Sequence, residues 1–192
     1  MSKKYAVTGI GNAIVDVITF VKDAFLDQNA LFKGSMTLIE ANEAEKLSKL
    51  EYKKISSGGS VANSISSLAG TGIKTAFIGK VGSGKFGEIF STELQKSHID
   101  FFCRNKSSEN STAKSFVLIS PDGQRTMATY LGNASDINDE IDEQVIKDSE
   151  ILYLEGYLWD KPQTIDALKN AIKVAKNNAT KSPLLYQTVF AL

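Results

Sequence analysis

The sequence predicts an α/β protein with a largely parallel sheet and a small β appendage, on three observations. Strand-like and helix-like segments alternate along most of the 192 residues. Extra strands near 14–21, 35–39 and 114–131 break that alternation. Glycine-rich turns stand between a strand and a helix at Gly58-Gly59 and again at Gly79–Lys85.

The elements follow in order. Tyr5 to Ile10 and Ile14 to Val21 are rich in β-branched residues and read as strands, separated by the break Gly9-Ile10-Gly11-Asn12. Ser35 to Ile39 is a short strand, and Ala41 to Leu50 a helix with Ala44, Leu47 and Leu50 on one face. Lys53 to Ser57 is a further short strand leading into Gly58-Gly59. From Ser60 the apolar period lengthens through Val61, Ala62, Ile65, Leu68 and Ala69, a helix that Gly70 or Gly72 closes. Lys74 to Gly79 is a strand, and Phe86, Ile89, Phe90 and Leu94 mark the next helix. Phe101 to Arg104, Lys114 to Ser120 and Arg125 to Leu131 are strands, the last two joined by the turn Ser120-Pro121-Asp122-Gly123. Asn138 to Lys147 reads as a helix, Glu150 to Glu155 as a strand, and Pro162 to Asn177 as a helix opened by proline.

Composition narrows the function classes. Hydrophobic residues make up 42% and charged residues 23%, the mix of a globular chain rather than a disordered one. Lys plus Arg and Asp plus Glu balance at 22 each, so no charge excess points to nucleic acid or a membrane surface. The single cysteine, Cys103, makes no internal disulfide, and no Cys/His cluster offers a zinc site. No apolar run approaches the ~20 residues of a membrane span, and no leader pattern opens the chain, so a cytoplasmic protein is expected.

Three glycine motifs are candidates for ligand chemistry. Gly9-Ile10-Gly11-Asn12-Ala13-Ile14 begins like a dinucleotide fingerprint but lacks the third glycine, and a strand follows where a helix should. Within that strand Asp16 is a carboxylate in an apolar run, either an outward-facing strand residue or an acceptor for ligand hydroxyls. Gly79-Lys80-Val81-Gly82-Ser83-Gly84-Lys85 nearly matches a phosphate-binding P-loop, but Phe86 stands where Ser or Thr would ligate magnesium. A strand-turn-helix connection is the simpler reading, with a P-loop-like nucleotide binder as the alternative. Gly58-Gly59-Ser60-Val61-Ala62-Asn63 is the best candidate: two glycines open a helix whose positive end can meet a ligand, and Asn63 lies on its first turn.

Taken together, these segments resemble one family. Gly58-Gly59-Ser60-Val61-Ala62-Asn63-Ser64, followed by Gly70, Gly72 and Gly79, is similar to the first signature of the ribokinase-like (PfkB) sugar and nucleoside kinases. Gly11-Asn12-Ala13-Ile14-Val15-Asp16 resembles that family's N-terminal substrate motif, and Val81–Glu88 its Val-Gly-x-Asp-x-Phe-Gly segment, with Gly84 replacing the usual Asp. Arg125–Gly132 and Glu155–Asp160 are most similar to the adenosine-kinase-like branch.

The resemblance implies a ribokinase-like, doubly wound α/β sheet with a small β lid, and transfer of the ATP γ-phosphoryl group to a hydroxymethyl group. It implies ATP and Mg²⁺ for the intact enzyme, a sugar or nucleoside as substrate, and a homodimer formed through the lid strands. It further implies that Asp16 accepts from ribose hydroxyls and that Asn12 positions the sugar. Gly58, Gly59 and Asn63 would form the floor, and Tyr157 would stand beside a base or pack in the core. Arg125 would face phosphate or simply solvent.

The family's second signature, an Asp-Thr-x-Gly-Ala-Gly-Asp segment with the catalytic base, has no counterpart, since no Gly-x-Gly-Asp occurs in the chain. The expectation is the N-terminal part of a single ribokinase-like domain over 1–192, truncated after its N-terminal half and without a catalytic residue, a metal ligand or the ATP site. Residues 181–192 read as an aberrant tail of the kind a frameshift near Lys181 would leave. A chain cut there is expected to expose apolar faces and be unstable alone. A non-catalytic ligand-binding remnant is the second reading.

Overall fold

The computed structural model describes residues 3–103, 112–138, 140–181 and 184–185. Its strands form two five-stranded sheets. The first runs in the order β10-β9-β1-β5-β6 and is parallel throughout. β1 (Tyr5–Ile10) is central, with β5 (Thr75–Ile78) and β6 (Asp100–Phe102) on one side, and β9 (Ser149–Glu155) and β10 (Leu184–Leu185) on the other. All four residues of β5 are buried, as expected for a strand covered on both faces.

Helices supply that cover. Val61 and Ile65 of α3 (Ser60–Ala69) and Phe90 and Leu94 of α4 (Lys85–Lys96) pack with Phe77, Val7 and Tyr153 in one core cluster. Leu168, Ala171 and Ala175 of α6 (Pro162–Asn177), with Val145 and Ile146 of α5 (Glu143–Lys147), pack with Ala76, Ile78, Leu152 and Leu154 in a second. Because side chains alternate along a strand, Phe77 and Ile78 serve opposite layers. This is a doubly wound α/β arrangement.

The second sheet runs in the order β3-β8-β7-β2-β4. It contains β2 (Ile14–Phe20), β3 (Met36–Leu38), β4 (Lys54–Gly58), β7 (Ala113–Ile119) and β8 (Arg125–Tyr130). Pairing is mixed: β2 is antiparallel to β4 and parallel to β7, and β7–β8 is the hairpin read from Pro121-Asp122-Gly123. One face buries Val15, Val17, Phe116, Leu118 and Ala128 together with Leu26 of α1 (Asp23–Gln28) and Ala44 and Leu47 of α2 (Ala41–Leu47). The other face carries Asp16.

Two local readings need correction. Helix α1 was not expected; it has six residues and only Leu26 is buried, too little for a 3.6-residue period to show. Helix α5 starts at Glu143 rather than Asn138, because Asp142 caps it by accepting from the Gln144 backbone N–H at 2.9 Å. As read, the glycines close α3: Gly70 is its C-cap in a right-handed conformation, and the left-handed turn falls on Gly72 (φ 83°). Of the expected tail, Lys181 bridges Ile151 and β10 pairs with β9, and the rest of 181–192 lies outside the described residues. The Asp142 cap carries a prediction: Asp142→Ala lowers stability by at least about 1 kcal/mol in a denaturant titration.

Candidate functional site

Two connectors link the second sheet to the elements of the first, at the carboxyl edge of the first sheet. Gly11-Asn12-Ala13 joins β1 to β2, and Gly58-Gly59 joins β4 to α3. In open α/β sheets the crevice outside the carboxyl ends of the strands is where ligands bind. The two connectors meet there, and their chemistry follows from what crowds them.

Gly59 has φ 97° and ψ 142°, a region essentially reserved for glycine. A Cβ on it would also lie 2.5 Å from the Asn12 carbonyl oxygen. A Cβ on Gly58 would lie 2.5 Å from Asp16 Oδ2. The glycine pair is thus the floor on which the Asp16 carboxylate and the Asn12 backbone rest. Helix α3 begins immediately after it with no side-chain cap at Gly59, so its positive end is left to other partners. Asn63 lies in that first turn, exposed, with its backbone N–H bonded to Gly59 O at 2.9 Å.

Asp16 sits in a polar row across the second sheet. It pairs with Ser56 of β4 and Ser115 of β7, and Ser115 pairs with Thr129 of β8, to which its hydroxyl is hydrogen-bonded at 3.1 Å. Paired residues share a face. Two residues further along, the same face carries Ile18, Val117, Met127 and Met36, and Leu38 stands at the end of the polar row. Met36 is 51% and Leu38 60% exposed. Arg125, paired with Ile119, lies on this face at the far end of β8 and is exposed. Burial raises the Asp16 carboxyl above its usual pKa, and the Arg125 charge opposes that rise.

Asn12 is 2% exposed. Its backbone N–H donates to Glu155 Oε2, and its side-chain Nδ2 donates to the same oxygen at 3.0 Å. The Ser60 hydroxyl donates to Glu155 Oε1. Asn12 Oδ1 is buried without a hydrogen-bond partner. Glu155, the last residue of β9, is also 2% exposed. Burial pushes its carboxyl pKa up, against the lowering effect of the Ser60 and Asn12 bonds. Sequence reading passed over this residue, although a carboxylate closing an apolar strand just before Gly156 is a visible signal.

The fold therefore brings Asn12, Asp16, Gly58 and Gly59 together, adds Glu155 and Ser60, and starts the Asn63 helix beside them. Arg125 stands four residues along β8 from the Asp16 row. Tyr157 lies half-buried on a 3₁₀ turn (Gly156–Leu158) next to Glu155, where Leu158 rather than Tyr157 enters the core. At the P-loop-like segment, Phe86 packs against the core and the Lys85 amine donates to the Tyr52 hydroxyl at 3.3 Å. Among the described residues no group of three or more His, Cys, Asp or Glu could hold a metal ion, and no helix is long and apolar enough to cross a membrane.

Comparison with known proteins adds four findings. The profile described as "pfkB family carbohydrate kinase" matches residues 28–190. A curated relative, 5-dehydro-2-deoxygluconokinase of Clostridium perfringens, is 31% identical over 127 residues, covering 64% of this chain and 38% of that protein. Adenosine kinase from Sinorhizobium meliloti (35% identity, TM-score 0.81) superposes on 94% of this chain and 56% of its own. A probable sugar kinase from Rhizobium etli (32% identity, TM-score 0.82) superposes on 95% and 56%. The chain thus spans well under half of its curated relative and a little over half of the two solved structures.

Proposed function

The chain belongs to the pfkB family of carbohydrate kinases, and from that premise we propose that it carries the acceptor-binding part of an ATP-dependent sugar or nucleoside kinase. The observation that carries the reading is the Asp16 carboxylate standing over Gly58-Gly59 at the open start of α3. An acceptor-only carboxylate beside a helix N-terminus suits a ligand that offers several hydroxyl groups. Asp16 would accept from those hydroxyls, and the glycine floor would let the ring approach the backbone. Asn63 and Tyr157 would border the same ligand, and Arg125 would meet a phosphate.

The apolar band beside the polar row favours a nucleoside among the hydroxylated ligands. Ile18, Val117, Met127, Met36 and Leu38 offer a surface for a flat base, and the cations paired into this face are Lys54 and Arg125, at its margins. A sugar acid would need a cation close to Asp16.

ATP and Mg²⁺ belong to the whole kinase in this proposal. Among the described residues no group of three or more His, Cys, Asp or Glu could hold a metal ion. A cytoplasmic enzyme, paired through strands of the second sheet, completes the proposal.

Calorimetry with adenosine, ribose and gluconate tests it. Adenosine is expected to bind at least about tenfold more tightly than ribose, and gluconate weakest. Leu38→Asp is expected to weaken adenosine about tenfold and leave ribose within about twofold. Absence of binding by both adenosine and ribose would overturn the reading.

A further inference from the structure

We infer that Glu155 is a positioning residue for this site: its carboxylate seats both connectors, and so sets where Asp16 stands relative to the start of α3. The inference rests on the proposed function for its ligand readout, but its geometric basis is independent.

One oxygen of Glu155 takes both N–H donors of Asn12, on the β1–β2 connector, and the other takes the hydroxyl of Ser60, on the first residue of α3. The carboxylate thus ties the end of β9 to the β1–β2 connector and to the start of α3. The sequence is shaped around it. A Cβ on Gly11 would lie 2.9 Å from both Glu155 Oε2 and Val61 Cβ, so glycine lets the connector pass between the carboxylate and α3.

The arrangement is a poor one for stability alone. It buries a charge at 2% exposure, and it turns the Asn12 nitrogen toward Glu155 while leaving Oδ1 with no partner. Apolar side chains at 12 and 155 would avoid both penalties. What they could not do is hold two chain segments in a directed geometry. Hydrogen bonds to a shared carboxylate do that, because each donor must point at a fixed oxygen.

Two variants of the full chain test the inference. Glu155→Gln keeps an oxygen for the Asn12 donors and offers its amide to Ser60 Oγ. Glu155→Met keeps the volume and removes every acceptor. Glu155→Gln is expected to bind adenosine within about threefold of the wild type, whereas Glu155→Met loses at least about tenfold.

Amide hydrogen exchange supplies the readout that bulk unfolding would not mimic. The Asn12 backbone and side-chain N–H groups are expected to be protected in the wild type and in Glu155→Gln. In Glu155→Met they lose protection while the amides of β5 keep theirs. Unchanged affinity and unchanged Asn12 protection in Glu155→Met would overturn the inference. So would a loss in Glu155→Gln as large as in Glu155→Met, since the charge itself would then be what matters. If Glu155→Met does not fold, Ser60→Ala replaces it, with an expected loss of about tenfold in affinity, and a change within about threefold would overturn the inference. If the wild type binds neither adenosine nor ribose, the proposed function fails, and the exchange pattern at Asn12 alone decides the positioning role.

Discussion

Gly59→Ala destabilises the protein by about 3 kcal/mol or more and removes ligand binding. Two effects combine at this position. The backbone at φ 97° and ψ 142° is one that residues with a side chain rarely adopt, and the new Cβ would fall 2.5 Å from the Asn12 carbonyl oxygen. That oxygen is backbone and cannot swing aside as a side chain could. Relief would require moving the β1–β2 connector, and with it Asn12 and its bonds to Glu155.

Gly72→Ala is the comparison for a positive φ without a collision. Gly72 also has positive φ (83°), but nothing lies within 4 Å of its Cβ position. Its expected cost is about 1 kcal/mol. Denaturant unfolding of the two variants separates backbone strain from collision, and equal losses would show that the collision contributes nothing. Since a domain is stable by only about 5–15 kcal/mol, the Gly59 variant gives up a large share.

Asp16→Asn moves binding and stability in opposite directions. Adenosine or ribose affinity is expected to fall about 10- to 100-fold, because a charge-assisted acceptor becomes a neutral one. Stability at neutral pH is expected to rise. Burial raises the folded-state pKa of Asp16 above its ordinary value of 3.8, with Arg125 opposing. A carboxyl group with a raised folded pKa contributes stability that is full below the unfolded value and is lost as pH rises through the folded value. The wild type therefore gives up this contribution on going from acid to neutral pH, and the Asn variant does not. The stability difference should shrink as pH falls from neutral toward 3.8 and stay constant below it. A pH series of unfolding curves for both proteins checks the sign. A variant less stable than the wild type at pH 7 would show that hydrogen bonds to the Asp16 carboxylate outweigh its desolvation.

Much of the fold was legible because its signals are local. Pro162 opens α6 and Asn177 ends it as read, and the alternation of strand and helix along the chain is the pattern of the doubly wound sheet. The segments that escaped, α1 and the start of α5, are short elements whose limits depend on a single buried leucine and a single cap. The candidate site divides in the same way. Gly58-Gly59, Asn12 and Asp16 stand out by residue type and spacing. Glu155 does not, because it lies 143 residues from Asn12 and meets it only through the pairing of β9 with β1.

By itself, the sequence determined the α/β class, the extra strands and the residues with chemistry to offer, since periodicity, turn composition and side-chain type are properties of neighbours along the chain. The tertiary structure alone decided that β4 joins the second sheet, that Asp16 heads a polar row beside an apolar band, and that a buried carboxylate ties the two connectors together. Those are matters of register and approach between distant segments. A strand records which of its residues alternate, but which neighbour it pairs with, and in what register, is settled only when both faces are buried and every backbone donor has found its acceptor.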